Sequence, residues 1–266
     1  MIKEFNNEPQ AKAIAESLGL VITKYKDIYI VSNNKEEILA NYGLDYYQDE
    51  NIFYDKDVFE IDKDDYLCIK NKEIVDASSV ELPYNIKCCF FMFSGCASLE
   101  IPPVIPKGVE SCDNMFADCT SLEIPPTIPA GVIICNSMFY ACTSLVRPPV
   151  IPESVTSCYN MFYNCISLET PPVIPHGVND CQRMFQCCIS LKVPPIIPKS
   201  AKNCGYMLCG CTSLETPPII PEGVTKCYRI FQGCASLKEL PHFPENCDTY
   251  EALQGTPFER SYDKRI

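Results

Sequence analysis

The chain has 266 residues, 47% of them hydrophobic, and a formal net charge of −12 at pH 7, which allows one or two domains with a sizeable core. The acidic balance argues against a nucleic-acid partner, because phosphate backbones are bound by clustered Lys and Arg, and it favours a protein partner with a basic surface. No stretch reaches the roughly 18 apolar residues of a membrane span, and residues 1–8 contain no apolar run, so we expect no membrane segment and no signal peptide, and we predict a cytoplasmic protein.

Residues 1–74 do not repeat, and they predict a small acidic α+β unit. The predicted elements are a helix at 8–18, a hairpin of strands at 20–25 and 28–32, a helix from Asn34 to Gly43, and strands at 66–70 and 73–75 joined by Asn71 and Lys72. We expect this unit to cover the first repeat that follows, because the open end of a repeat stack exposes apolar surface.

The stretch 45–65 holds nine acidic residues against two lysines, with aromatic residues between them. Two interpretations stay open: an irregular, solvated acidic loop anchored by its aromatic side chains, or a contact patch for a basic partner, since Tyr anchors and charge complementarity are typical of interfaces. Calcium binding is a weak third, because Asp62, Asp64 and Asp65 lack the Gly and the closing Glu of an EF-hand loop. The contact-patch candidates are Tyr46, Tyr47, Asp49, Glu50, Tyr54, Asp55 and Asp57.

From Ser98 onward the sequence repeats every 23 residues without insertion. With Ser98 as position 1, each block, here called a rung, has Leu at position 2, Pro-Pro at 5 and 6, Ile-Pro at 8 and 9, Cys at 15 and 22, and Met-Phe or a close variant at 18 and 19. Such a fixed period is typical of a solenoid in which rungs stack and equal positions form columns. Because Pro-Pro removes two N–H donors, we expect very short strands with polyproline-like backbone beside them. Positions 14–21 predict a short helix or 3-10 turn with Met, Phe and Cys turned inward.

The pattern Ser-Leu-x-x-x-Pro-x-Ile-Pro-x-x-Val-x-x-Cys-x-x-Met-Phe-x-x-Cys resembles the BspA-like leucine-rich repeat, over roughly residues 75–258. The resemblance implies an α/β repeat solenoid of the leucine-rich-repeat type, curved and right-handed, that serves as a protein- or surface-binding scaffold. Many members of that family are exported, whereas nothing here resembles an export signal. We predict three segments: an acidic α+β N-terminal cap at 1–74, a solenoid of about eight rungs at 75–258 whose first and last rungs are degenerate, and a tail at 259–266.

The 19 cysteines are an odd number, so they cannot all pair within the chain. In a reducing compartment we expect free thiols, packed as small apolar side chains in the columns at positions 15 and 22. Disulfides between rungs and a zinc site stay open as alternatives, since stacked rungs bring Cα atoms to ~5.5 Å. The sequence has no Cys-x-x-Cys pair and two His to support zinc, so we predict no metal and no cofactor.

Binding information is expected where the rungs differ from one another. Position 7 is apolar in most rungs and predicts a partly exposed apolar strip, a usual kind of interaction site. The strip comprises Val104, Thr127, Val150, Val173, Ile196 and Ile219. The candidates at positions 3 and 4 are Glu100, Glu123, Arg147, Glu169, Lys192 and Glu215. The candidates on the opposite side of the rungs are Tyr140, Tyr159, Tyr163, Arg183, Tyr206, Tyr228 and Arg229.

Catalytic motifs are absent from the sequence: it has no phosphate loop, no Gly-x-Gly-x-x-Gly, no His-Glu-x-x-His and no Gly-x-Ser-x-Gly. We predict a non-enzymatic protein–protein interaction scaffold without catalytic residues. It would be an intracellular binder, inhibitor or adaptor that acts through the solenoid face and the acidic stretch, and that is a monomer on its own. Two alternatives stay open, namely an exported or cell-surface adhesin, and an N-terminal catalytic or ligand domain that the repeats target.

Overall fold

A computed structural model gives the structure of this chain. It describes residues 2–6, 9, 11–12, 21–25, 28–32, 44–47, 52–55, 58–61, 66–83 and 86–262. Strands β1 (Ile2–Phe5), β2 (Val21–Tyr25) and β3 (Ile28–Ser32) form an antiparallel sheet in the order β1-β3-β2. The predicted hairpin is thereby confirmed, with Tyr25 opposite Ile28, whereas β1 was not predicted. The helix predicted from Asn34 lies outside the described residues, as does most of the one at 8–18.

The sequence suggested an irregular acidic stretch, but part of this stretch forms strands. Strands β4 (Leu44–Tyr47) and β5 (Ile52–Asp55) pair antiparallel within it. Strand β6 (Phe59–Ile61) then pairs antiparallel with β7 (Leu67–Ile69). The alternation of aromatic and β-branched residues with acids in this stretch suits a strand, and it outweighs the acidic composition.

The strand predicted at 73–75 is not formed, and this prediction was wrong. β7 pairs with β6 instead, so the turn at Asn71 and Lys72 does not close a hairpin. The segment after that turn joins the repeats: the carbonyl of Val75 accepts the N–H groups of Glu100 and Ile101, and Asp76 forms a parallel bridge with Ile101. The carbonyl of Val75 and the N–H of Ala77 thus bond to the next block along the chain, whereas the N–H groups of Glu73 and Ile74 bond to Asn71.

Consecutive rungs lie side by side in the order of the chain. At position 14 each rung contacts the next through a single-residue parallel bridge. These bridges are Cys88–Ser111, Ser111–Ile134, Ile134–Ser157, Ser157–Asp180, Asp180–Asn203, Asn203–Lys226 and Lys226–Asp248. The expected short parallel strands are thus reduced to one residue in each of these rungs, and they lie opposite the Pro-Pro pair.

Hydrogen bonds from four positions, one of them part of the bridge, join each of these rungs to its successor. In the rung that begins at Ser98, the N–H groups at positions 15, 17, 19 and 21 donate to carbonyls of the following rung. The pairs are Cys112–Ile134 at 3.0 Å, Asn114–Asn136 at 2.9 Å, Phe116–Met138 at 3.0 Å and Asp118–Tyr140 at 2.7 Å. The intervening N–H groups close turns onto carbonyls three residues earlier, as Met115 does onto Cys112. Alternate peptide groups therefore bond within a rung and between rungs.

This alternation replaces the predicted helix or 3-10 turn, which does not form in the described rungs. Residues at positions 17 and 21 have positive φ throughout the stack, and an α-helix cannot contain such residues at regular intervals. In one rung they are Asn160, with φ 55°, and Asn164, with φ 58°. The polar and small residues common at these positions tolerate the left-handed conformation better than bulky ones do. The apolar spacing alone did not reveal this backbone.

Gly210 illustrates the demand of position 21. Its φ is +76°, and an added Cβ would lie 3.4 Å from Cys187 Sγ. We expect Gly210→Ala to lower the free energy of unfolding by about 1–2 kcal/mol, because an L side chain is strained in the left-handed region. Gly108→Ala is the control, since its Cβ would meet open space and its φ is not positive. Urea unfolding checks both, and equal midpoints for the two variants would contradict the assignment of strain.

The peptide groups whose N–H belongs to positions 15, 17, 19 and 21 all point the same way, whereas the N–H at position 13 donates to the preceding rung, as Glu110 does to Lys87. In the peptide groups of the first kind, which are the more numerous, the carbonyls face the N-terminal end of the stack and the N–H groups face the C-terminal end, so their dipoles add as in a helix. At the N-terminal end Lys72 Nζ donates to the carbonyl of Ser94 at 3.0 Å, and the Ile69 N–H donates to Met92. At the other end the N–H of Gly255 donates to Glu259 Oε2 at 3.0 Å, from α1 (Glu259–Tyr262). A cation and an anion thus lie where the summed dipole favours each.

The interior of the stack consists of columns that repeat position by position. In one rung Leu145, Val155, Cys158, Met161 and Phe162 are all 0% exposed. Each column is buried because the neighbouring rungs cover both sides of every side chain. The predicted inward orientation of Met, Phe and Cys holds for these rungs.

The column at position 19 is a continuous ring stack from Phe93 to Phe185. Phe139 lies 5.9 Å from Phe116 and 5.8 Å from Phe162 between ring centroids, with interplanar angles of 7° and 8°. Such offset-stacked pairs contribute about 0.5–1.5 kcal/mol beyond the burial of their apolar area. This column therefore ties the register of each rung to that of the next.

Candidate functional site

The residues at position 7 form an apolar column on the outside of the stack. Their exposed fractions are 78% for Val104, 86% for Val150, 77% for Val173, 80% for Ile196 and 90% for Ile219. Thr127 continues the column and is exposed as well. The residues on either side at positions 6 and 8, such as Pro149 and Ile151, are buried. The extended backbone turns alternate side chains in and out, so position 7 projects fully into solvent.

Proline columns border this apolar column on both sides. At positions 5 and 9 the prolines of the central rung, Pro148 and Pro152, are half-buried. The column at position 7 and its two flanking proline columns are here called the outer apolar face. Contiguous exposed apolar surface of this kind marks interaction sites in soluble proteins.

The backbone beneath the outer apolar face makes no hydrogen bond from one described rung to the next at positions 5–9. Two prolines have no N–H, and the N–H groups at positions 7 and 8, as in Val150 and Ile151, have no acceptor in the structure. At positions 5–9, packing of side chains is what holds the described rungs together, while backbone bonds resume at position 3, where the Lys238 N–H donates to the carbonyl of Glu215 at 2.8 Å. The Pro-Pro pair thus excludes a regular sheet, as the sequence predicted.

Charged residues at position 3 line one edge of the outer apolar face, here called the first rim. Lys192 Nζ lies 3.3 Å from Glu169 Oε1, and Lys238 Nζ lies 2.7 Å from Glu215 Oε2. Each of these pairs joins adjacent rungs at the surface and is worth only ~0–1 kcal/mol. Glu100 and Glu123 have no ion pair with any described residue, so the N-terminal half of this rim keeps its acidic charge.

A second rim lies at position 10, on the other edge of the outer apolar face. Its residues are all exposed, and they are Lys107, Ala130, Glu153, His176, Lys199 and Glu222. The carboxylate of Glu153 accepts the backbone N–H of His176 at 3.3 Å. Sequence reasoning did not select these residues, although their variation from rung to rung was a signal that could have done so.

The structure brings one group of predicted site residues together and leaves the other apart. Glu100, Glu123, Glu169, Lys192 and Glu215 follow one another along the first rim, and Arg147 lies beside it at position 4. Tyr46, Tyr47, Tyr54 and Asp55 lie on the β4–β5 hairpin, where Tyr46 is opposite Phe53 and Tyr47 is opposite Ile52. Asp49, Glu50 and Asp57 lie outside the described residues.

The opposite side of the stack carries a polar and aromatic cluster whose groups mostly bind each other. Arg229 Nη1 donates to Tyr206 Oη at 2.7 Å, and the Arg229 guanidinium lies 2.6 Å from Glu251. The guanidinium of Arg183 lies 4.8 Å from the centre of the Tyr206 ring, a favourable cation–π distance. These contacts occupy most of the charge on this side, so we take the outer apolar face as the candidate site.

The cysteines act as hydrogen-bond donors inside the stack. The position-22 thiols donate to the position-19 carbonyl of the preceding rung, as Cys165 Sγ does to Phe139 O at 3.1 Å. The same contact recurs for Cys119, Cys142, Cys188, Cys211 and Cys234. Burial raises the pKa of Cys112 and of Cys234 to about 12. Protonated thiols of this kind are poor nucleophiles.

Metal and disulfide chemistry find no support in the described part of the chain. The cysteines from Cys88 to Cys247 are free thiols. No group of three or more His, Cys, Asp or Glu among the described residues is placed to hold a metal ion. Nor do those residues include a helix long and apolar enough to cross a bilayer.

The repeat matches a known family model, the BspA type leucine rich repeat region, in six copies that span residues 72–192 and 133–252. The chain belongs to this leucine-rich-repeat family. No curated protein matches it. The resemblance drawn from the Ser-Leu, Pro, Met-Phe and Cys positions is thus confirmed, and leucine-rich-repeat proteins of this type commonly mediate protein contacts.

Solved structures with the same fold come from bacterial leucine-rich-repeat proteins. One from Bacteroides ovatus has 22% identity and a TM-score of 0.57, with 75% of this chain and 55% of that protein covered. One from Eubacterium ventriosum has 18% identity and a TM-score of 0.53, with 76% of this chain and 50% of that protein covered. The chain therefore spans about half the length of these relatives. At this identity the similarity shows the leucine-rich-repeat fold and nothing more specific.

Proposed function

We propose that the chain is a non-enzymatic protein-binding scaffold whose contact surface is the outer apolar face. The observation that carries this proposal is the column at position 7, where Val and Ile side chains are 77–90% exposed in line along the stack. Monomeric proteins rarely expose contiguous apolar surface of this extent. Burial of such side chains against a partner contributes about 1.5–3 kcal/mol each when complete.

The arrangement of the rungs suits a rigid binding platform. We propose that the stack is a curved solenoid and that residues 1–74 cap its N-terminal end. The contacts of Ile69 and Lys72 with the first rung support the cap, because they meet carbonyls that would otherwise lack donors. A platform held by repeated hydrogen bonds loses little conformational entropy on binding.

We place the protein in a reducing, intracellular compartment, as a binder, adaptor or inhibitor. Buried free thiols at two positions of each rung are the support for this, since an oxidising compartment selects for disulfides. The acidic, aromatic-rich hairpin β4–β5 is proposed as a second contact, for a partner with a basic surface. Its support is the charge and the Tyr content of the stretch.

Photo-crosslinking from the outer apolar face tests the proposed function. A benzophenone side chain placed at Val173 is expected to form protein adducts in the native host lysate. One placed at exposed Glu110, which is next to the bridge residue Ser111, is expected to form few. The paired substitution Val150→Asp and Ile196→Asp should abolish the adducts while leaving the fold intact by circular dichroism, because both side chains are solvent-exposed within one copy. Equal adduct yields from the two sites would exclude this face as the contact surface.

A further inference from the structure

The spacing of the outer apolar face identifies the partner that matches it best. On the side of the stack that carries the parallel bridges at position 14, neighbouring rungs lie about 4.8 Å apart. A β-strand laid along the stack repeats its same-side residues every ~6.6 Å, and an α-helix repeats every ~5.4 Å. At the spacing of the bridged side, a strand would drift out of register by roughly 9 Å from Val104 to Ile219 and a helix by roughly 3 Å. A second copy of the stack has the same spacing at position 7, whatever its value, and does not drift.

We propose that the outer apolar face is a two-fold interface between two copies of this chain. The inference rests on the proposed function, since it names the partner of the same face. In a two-fold interface the same patch on both copies contacts itself. With the axis between Val150 and Val173 and the two stacks antiparallel, Val104 faces Ile219, Thr127 faces Ile196, and Val150 faces Val173 of the other copy.

The second rim is complementary to itself in this arrangement. Lys107 of one copy faces Glu222 of the other, and Glu153 faces His176, so each contact occurs twice by symmetry. Lys107 has no ion pair with a described residue, and Glu222 has a single distant contact, at 4.0 Å from His242. Both side chains are exposed and available for an intermolecular pair.

The first rim is complementary in the same arrangement. Glu123, which has no ion pair with any described residue, faces Lys192 of the other copy, whose ammonium also lies 3.3 Å from Glu169 within its own copy. Beside them at position 4, Ile124 and Val193 face each other, and they are 70% and 49% exposed in one copy. The one like-charged pair is Glu100 with Glu215, whose charge Lys238 already balances at 2.7 Å.

The parallel alternative is disfavoured by charge. A two-fold axis along the stack would set position 3 of one copy against position 10 of the other. Lys192 would then face Lys199, and Glu215 would face Glu222. This arrangement has one opposite-charge pair against these two, Glu100 with Lys107. Like charges placed opposite one another oppose association. The proposed antiparallel dimer differs from the monomer expected from the sequence, where the near-complete exposure of position 7 was not evident.

A charge swap within the full-length chain tests the dimer. We expect the wild-type protein to sediment as a dimer at micromolar concentration. Lys107→Glu and Glu222→Lys should each raise the dissociation constant at least tenfold, because each places like charges at two symmetric contacts. The double variant K107E/E222K should restore the wild-type value. These two residues lie about 24 Å apart within one copy, so restoration requires contact between copies.

Controls make each outcome decisive. Lys226→Glu changes an exposed charge at position 14, away from the outer apolar face, and should leave sedimentation unchanged. Thermal unfolding verifies that every variant is folded. A wild-type monomer at 100 µM, or singles that dissociate without rescue in the double, would overturn the dimer. If the benzophenone at Val173 instead captures a different protein, the dimer inference fails while the proposed function stands. If it captures nothing, both fail.

Discussion

The free energy of unfolding should fall steeply above about pH 9. The folded state buries two thiols in each regular rung, and burial keeps those whose pKa it raises protonated, whereas an unfolded thiol titrates near 8.5. Burial raises the pKa of Cys112 and Cys234 to about 12, and it raises those of Cys165, Cys188 and Cys211 as well. Because the folded-state pKa is the higher one, the stability is fully present below the unfolded value and is lost as pH rises towards the folded value.

The size of this effect comes from the number of thiols involved. Each buried thiol that ionises only on unfolding removes about 1.4 kcal/mol per pH unit. A dozen such thiols would remove roughly 10 kcal/mol or more over one unit, comparable to the whole stability of a domain. Urea unfolding at pH 7.5, 8.5, 9.5 and 10 with a phosphine reductant measures the loss. Thiolate absorbance near 240 nm should appear together with unfolding.

Single substitutions separate the thiols from other groups that titrate in this range. Cys165→Ala should lessen the pH slope by about one proton, whereas Cys187→Ser at a half-buried site should lessen it less. Return to pH 7.5 should restore the folded state. An unfolding midpoint that is the same at pH 10 and at pH 7.5 would show that ionisation of the buried thiols does not lower the free energy of unfolding.

The second large effect is expected from Phe139→Ala. Phe139 is 0% exposed and stacks on Phe116 and Phe162. Removal of its ring leaves a cavity in the middle of the aromatic column and breaks both ring contacts. We expect a loss of about 3–5 kcal/mol in the free energy of unfolding, the range found for large-to-small changes at buried aromatic sites. Urea unfolding at neutral pH measures it.

Two matched variants define what this loss means. Phe139→Leu should cost less, because the same column accommodates Leu208, which is 0% exposed. Asn179→Ala, at an exposed position away from the outer apolar face, should change stability by less than ~0.5 kcal/mol. A loss for Phe139→Ala no larger than that for Asn179→Ala would contradict the aromatic column as a source of stability.

The N-terminal unit shows how far local pattern predicts structure. The hairpin around Lys26 and Asp27 was predicted because its alternating β-branched residues pair with their nearest neighbours in sequence. The strand at 73–75 was predicted by the same kind of pattern and does not form. Its hydrogen-bond partners are Glu100 and Ile101 of the rung that begins at Ser98. A local pattern carries no information about partners that are so distant in sequence.

The sequence predicted the apolar column of the candidate site but not its second rim. Position 7 was recognised as an apolar strip because it varies among Val, Ile and Thr while its neighbours are constant. Its almost complete exposure follows from the backbone turning positions 6 and 8 inward, which the structure decides. The second rim was missed because Lys107 and Glu222 lie far apart in sequence, and their relation appears only when two faces are set against each other.

The sequence by itself determined that the chain is a leucine-rich-repeat stack and which residues fill its interior. A strict period leaves one register in which Leu, Met, Phe and Cys are all buried. The residues of each column are therefore those spaced 23 apart in the sequence. The tertiary structure alone decided the backbone of each rung, the thiol hydrogen bonds and the rim charges that pair. Those features depend on which groups of the neighbouring rung lie within hydrogen-bonding or ionic reach, and such distances are set only once the rungs are stacked.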